Sequence, residues 1–128
     1  MPMDIARIHR EFAEAQRTFA LVELRPTAEG TVYARTALQT SNGKQYVLSI
    51  RFTDSYPNEM PRVFVDAPVI TTAPHRYQGG YICYLHPSMW NPGAHHLTFV
   101  IARAAKWLNK YEVWLNNGGV WPGAQIKH

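Results

Sequence analysis

Ala73-Pro74-His75-Arg76-Tyr77-Gln78-Gly79-Gly80-Tyr81-Ile82-Cys83-Tyr84-Leu85-His86-Pro87-Ser88-Met89-Trp90-Asn91-Pro92 is the stretch on which the fold and chemistry of this chain turn. It holds the only cysteine of the sequence, together with His75, His86, Asn91 and a double glycine. Prolines 74, 87 and 92 and glycines 79, 80 and 93 exclude a long regular element. An irregular run of 25 residues, from Val69 to Gly93, is unusual inside a compact domain and points to a functional loop. A thiol is the best neutral-pH nucleophile among side chains, because its free pKa of about 8.5 already leaves a small thiolate fraction. Acyl transfer also needs a donor aimed at the developing oxyanion, which is worth about 3 kcal/mol. Histidine or asparagine can supply that donor, and an irregular backbone exposes amides that a helix or sheet would have occupied.

The flanking sequence has a regular rhythm. Asp4 can cap a helix, and Ile5, Ile8, Phe12 and Phe19 recur at helical spacing. From Phe19 to Leu24 the composition turns β-like, until Pro26 stops it. Thr31 to Leu38 alternates, and the Asn42-Gly43 pair that follows is the dipeptide a two-residue hairpin turn prefers. Tyr46, Leu48, Ile50 and Phe52 then share one face, with Val47, Ser49 and Arg51 on the other; this is the clearest strand. A fourth strand, Arg62 to Asp66, lies beyond a proline-containing turn. After the irregular segment, Leu97, Val100, Ile101, Ala104, Leu108 and Tyr111 mark a second amphipathic helix, and a tail with Trp114, Gly118, Gly119, Trp121 and Pro122 runs to His128. The order predicts one α+β domain over residues 1–128: an N-terminal helix, a four-stranded antiparallel meander, a long active-site loop and a C-terminal helix.

Composition narrows the function classes. The chain has 128 residues, 46% of them hydrophobic and 17% charged, which is one domain's worth of sequence and excludes a disordered chain. One cysteine excludes an intramolecular disulfide and every zinc site built from paired cysteines. Cys83 is therefore a buried bystander, a lone metal ligand or a nucleophile. The net charge of +4 is spread without basic runs, so it gives little reason to expect direct nucleic-acid binding. There is no secretory signal pattern at the start and no long uninterrupted apolar run, so a cytoplasmic protein without membrane insertion is expected.

The ordered motifs resemble the ubiquitin-conjugating enzymes. Tyr56-Pro57, with Pro61 four further on, looks like their Tyr-Pro-x-x-Pro-Pro turn. Ala73-Pro74-His75 falls where they carry His-Pro-Asn, Gly80-x-Ile82-Cys83 looks like their Gly-x-Ile-Cys, and Trp90-Asn91-Pro92 is similar to their Trp-Ser-Pro. The resemblance covers roughly residues 4 to 115 and implies a UBC-like fold. It also implies that Cys83 accepts the C-terminus of a ubiquitin-like protein as a thioester and passes it to an amine. His75 stands eight residues before Cys83, where the family has the asparagine associated with oxyanion stabilisation and loop ordering. His75 is the leading candidate for that role, with Asn91 and His86 as supporting candidates. The helices that follow the cysteine-proximal one in the family are missing or replaced by the short tail. The tail and the divergent histidine look like the stand-alone bacterial members of type II CBASS antiphage operons. That likeness implies a cGAS-like nucleotidyltransferase C-terminus as the conjugated partner.

Other readings of the same residues stay open. Cys83 and His86, with His75 and the His95-His96 pair, supply enough sulfur and nitrogen for one zinc, although the expectation is no metal and no cofactor. A catalytically inactive UBC-like scaffold that binds the same partner is a second reading, and a small cysteine isopeptidase a third. Tyr56, Pro57, Pro61 and Trp90 are expected to serve structure. No Gly-rich phosphate loop is present, so an adenylating enzyme or an already activated acyl donor is the expected companion.

Overall fold

A computed structural model gives the fold over residues 3–77 and 79–122; Gln78 and the end of the tail, including His128, lie outside the described residues. Helix α1 (Ile5–Thr18) starts where Asp4 accepts a hydrogen bond from the Arg7 amide at 3.0 Å. Strands β1 (Val22–Pro26), β2 (Val32–Gln39), β3 (Gln45–Arg51) and β4 (Arg62–Ala67) form an antiparallel meander. A fifth strand, β5 (Tyr81–Ile82), adds itself antiparallel to β4, with Val63 opposite Ile82. The four-strand expectation is thus corrected to five. Two residues bounded by Gly79-Gly80 and Cys83 are too short to show alternation, and only the exposed edge of β4 makes them a strand. Helix α2 (Leu97–Asn116) closes the fold.

Strand β3 explains why the sheet has one buried face. Tyr46, Leu48 and Ile50 have no exposed surface; on the other face Val47 is half-buried, Ser49 is buried and bonded to Asp66, and Arg51 at the strand's end is exposed. Ala34 and Val63 extend that face on the neighbouring strands. Ile8 and Ala15 of α1 and Leu97, Val100, Ile101, Ala104 and Leu108 of α2 complete one continuous core with it. Burying each of the larger side chains contributes about 2 kcal/mol. The β2–β3 connection is longer than a two-residue turn. Gly43 donates to the Thr40 carbonyl at 2.9 Å, so Ser41 and Asn42 are the central residues and Gly43 follows with φ 84°. Asn42 is instead used by α2: its amide donates to Glu112 at 3.2 Å, and the Tyr46 hydroxyl donates to the same carboxylate at 2.8 Å. Burial acts to raise the Glu112 pKa, but hydrogen bonds from Thr40, Tyr46 and Asn42 outweigh it and hold the carboxyl below its usual range.

A buried carboxylate on α1 fixes the far side of the long loop. Glu11, 4% exposed, accepts from the Tyr56 hydroxyl at 2.5 Å and from the Leu97 amide at 2.7 Å, and pairs with Arg7. The Leu97 bond places a negative charge at the N-terminus of α2, where the helix dipole favours it. Arg7 also donates to the carbonyls of Pro92 and, at 3.3 Å, His95. Tyr56 and Pro61 are structural, as expected: the Tyr84 hydroxyl donates to the Pro61 carbonyl at 2.6 Å, and the Trp90 indole donates to the Pro57 carbonyl at 2.8 Å. The middle and the C-terminal end of the irregular segment are thereby anchored, which sets where Cys83 sits.

Candidate active site

Cys83 follows β5 directly, and its backbone is held against the loop that precedes it. The Cys83 amide donates to the His75 carbonyl at 2.8 Å, and Arg76 bridges to Ile82. His75 achieves this with φ 57°, the left-handed conformation that a side chain bearing a Cβ rarely adopts, and the only such non-glycine residue among those described. Gly80, with φ 91°, makes the turn back from Tyr77 to Tyr81, where the Tyr77 amide donates to the Tyr81 carbonyl at 2.9 Å. The double glycine and the histidine are therefore used together to fold the loop onto its own strand.

The thiol is 1% exposed. The Tyr77 hydroxyl donates to its sulfur at 3.3 Å, and the sulfur lies 3.5 Å from the Leu85 carbonyl, to which a thiol proton can be given. Burial pushes the Cys83 pKa up, and Tyr77, the Leu85 backbone and the Arg103 guanidinium act in the opposite direction. Arg103 is held in place by donating to the Tyr84 carbonyl at 3.0 Å. Cys83, His75, Arg103, Lys106, Trp107, Lys110 and Trp121 surround a pocket of about 20 Å³, room for a single water-sized group. Trp121 reaches it because the chain turns at Gly118 and Gly119, with φ 62° and 87°, after α2 ends. Its ring meets the edge of His75 at 5.0 Å and that of Trp107 at 5.5 Å.

Of the four residues singled out in the sequence, the structure brings His75 and Cys83 together. His86 accepts from the Ser88 amide at 3.2 Å and so caps the 3-10 turn Pro87–Met89. Asn91 accepts from the Gly93 amide at 2.9 Å, and its own amide donates to the His95 ring at 3.0 Å, so it organises the turn into α2. The zinc set does not assemble: His95 stacks on Phe99 at 4.1 Å, His96 faces Glu14 at 3.5 Å, and among the described residues no three His, Cys, Asp or Glu side chains converge. Tyr77, Arg103 and Trp121 were not singled out in the sequence. The signal for Arg103 was available, since residues 103, 106 and 110 share one face of a helix with period 3.6. Nothing in the spacing of Tyr77 or Trp121 marks either as a neighbour of the thiol.

No helix is long and apolar enough to cross a membrane, among the described residues. The fold is UBC-like: it is similar to a chain in a solved structure described as a complex of the Vps23 UEV with ubiquitin. The TM-score is 0.60 at 15% identity, over 85% of this chain and 86% of that one. No curated protein matches the sequence. A family model described as "Type II CBASS E2 protein" matches residues 11–128, which takes in the whole of the Cys83 loop and both walls of its pocket. The chain belongs to the type II CBASS E2 protein family.

Proposed function

We propose that the chain is an acyl carrier and transferase of the ubiquitin-conjugating type in bacterial antiviral defence, with Cys83 as the thioester-forming residue. The observation that carries this reading is the single thiol at the end of β5, which accepts a hydrogen bond from the Tyr77 hydroxyl and opens on a pocket that His75 and Arg103 also line. Cys83 gives up its proton to solvent and attacks the carbonyl carbon of an activated acyl group; a carbon–sulfur bond forms, the bond from that carbon to the activating group breaks, and the group departs with the electron pair. An amine then attacks the thioester carbon, the carbon–nitrogen bond forms, the thiolate is released and the amine proton passes to solvent. His75 orders the loop through its carbonyl and stands by the oxyanion with its ring; His86 and Asn91 support it by fixing the loop between Tyr84 and α2. The acyl donor is the C-terminus of a cGAS-like nucleotidyltransferase or a ubiquitin-like protein, activated by a separate adenylating partner. The likeness to a fold seen bound to ubiquitin supports a protein partner of this kind.

The burial of Cys83 favours a second reading, a partner-binding scaffold without chemistry. Trapping separates the two. The protein is incubated with the activated product of its neighbouring gene as wild type, Cys83→Ala, Cys83→Ser and Cys83→Lys. A transferase gives a hydroxylamine-labile adduct in the wild type, a stable ester or amide in the Ser and Lys variants, and nothing in Cys83→Ala. A scaffold binds the partner equally in all four and forms no adduct.

A further inference from the structure

Three cations from one face of α2 line the pocket beside Cys83, together with His75 and the aromatic rings of Tyr84, Trp107 and Trp121. Arg103, Lys106 and Lys110 stand at i, i+3 and i+7 on α2 and line it together, with His75 opposite. They span about 10 Å along the helix at 1.5 Å per residue, the length of three extended residues of a second chain. The only acid of α2, Glu112, is occupied by Tyr46 and Asn42, and no carboxylate lines the pocket among the described residues. Trp107 adds an independent sign of a missing acceptor. It is 4% exposed, and its buried indole nitrogen has no hydrogen-bond partner among the described residues, which is costly unless something fills the role. Burial, with Lys106 and Arg103 close by, also lowers the Lys110 pKa.

We infer that this strip is the docking site for acidic side chains in the C-terminal segment of the acyl donor, holding them against α2 while the terminal residue reaches Cys83. The inference rests on the transferase reading for the identity of the donor, but the binding step it describes needs no thiol chemistry. An acidic segment would place carboxylates on Arg103, Lys106 and Lys110 and offer the Trp107 N–H an acceptor, and electrostatic complementarity of this kind sets partner choice and encounter rate.

The test is fluorescence anisotropy of a fluorescein-labelled peptide with three consecutive glutamates flanked by glycines and an amidated C-terminus. Wild type is expected to bind it, and added salt to weaken the binding. Lys106→Gln/Lys110→Gln is expected to weaken it at least about fivefold, in line with two partly exposed ion pairs. Trp107→Phe, which keeps the ring and removes the donor, is expected to lose about threefold or more. Arg35→Gln, on the opposite face of the sheet from the core residue Ala34, leaves binding unchanged. Equal binding of the glutamine counterpart of the peptide overturns the inference, as does an unaffected lysine double variant or an equal loss in Arg35→Gln. A glutamine peptide that binds only when its C-terminal carboxylate is free also overturns it, because the site would then read the terminus. Acidic-peptide binding in a protein that forms no Cys83 adduct supports the docking site and defeats the transferase reading; adduct formation without such binding does the reverse.

Discussion

Replacing Tyr77 by phenylalanine removes one oxygen from the site and leaves the ring that packs on Tyr81 at a centroid distance of 4.7 Å. That oxygen is the donor 3.3 Å from the Cys83 sulfur. A hydrogen bond to a charged acceptor contributes about 1.5–3 kcal/mol, and part of it is already made to the neutral thiol. A differential loss of about 1.4 kcal/mol raises the Cys83 pKa by about one unit. At pH 7.5 the thiolate fraction then falls about tenfold. The more basic thiolate is about threefold more nucleophilic, so the net alkylation rate falls about threefold. The assay is the rate of iodoacetamide modification of the folded protein as a function of pH. The midpoint of the Tyr77→Phe profile is expected to lie about one unit above that of wild type, with a plateau at high pH at least as fast. Any opening motion that admits the reagent scales the whole profile and leaves its midpoint in place. A midpoint that stays put or moves down refutes the assignment of Tyr77 as the donor that favours the thiolate.

Other consequences follow from the same geometry. Trp121→Ala removes the ring contacts with His75 and Trp107 that close the pocket; at about 1 kcal/mol per aromatic pair, iodoacetamide modification of Cys83 should speed up about tenfold or more, and an unchanged rate would show that Trp121 is not what covers the thiol. Glu11→Ala leaves the Tyr56 hydroxyl, the Leu97 amide and Arg7 without their shared partner, and should cost about 3–5 kcal/mol in urea unfolding; a loss under 1 kcal/mol would mean that water replaces the carboxylate freely. Burial raises the Cys83 pKa in the folded protein, so the unfolded chain loses the thiol proton first and stability, complete below about pH 8.5, falls as pH rises. Cys83→Ala should therefore show a shallower decline of the urea midpoint between neutral and alkaline pH, and parallel declines would contradict the raised value.

The regular elements were legible because each obeys a period. Asp4 caps α1, Tyr46, Leu48 and Ile50 are fully buried on one face of β3, and the stripe from Leu97 to Tyr111 is the core face of α2. Where tertiary partners decide, the sequence was silent. Strand β5 exists because β4 offers it an edge, and the β2–β3 turn centres on Ser41 and Asn42, with Asn42 bonded to Glu112 on α2. In the site, Cys83 and His75 stood out by residue type and order. The φ of 57° that aims the His75 carbonyl at the Cys83 amide is a property of the folded loop. Tyr77 reaches the thiol by a glycine turn and Trp121 reaches its pocket by a fold-back after α2, neither of which has a period to read. His86 and Asn91, chosen for their chemistry, prove to cap the 3-10 turn and to organise the turn before α2. Between them they hold in place the backbone that carries Trp90.

The most direct measurement is the intact mass of the wild-type protein after incubation with its activated partner, under conditions that reduce disulfides and spare thioesters. The account predicts a species equal to the two proteins less one water, lost on hydroxylamine treatment and absent from Cys83→Ala. An adduct of the same mass in Cys83→Ala, or none in the wild type when the partner is demonstrably activated and bound, would contradict it.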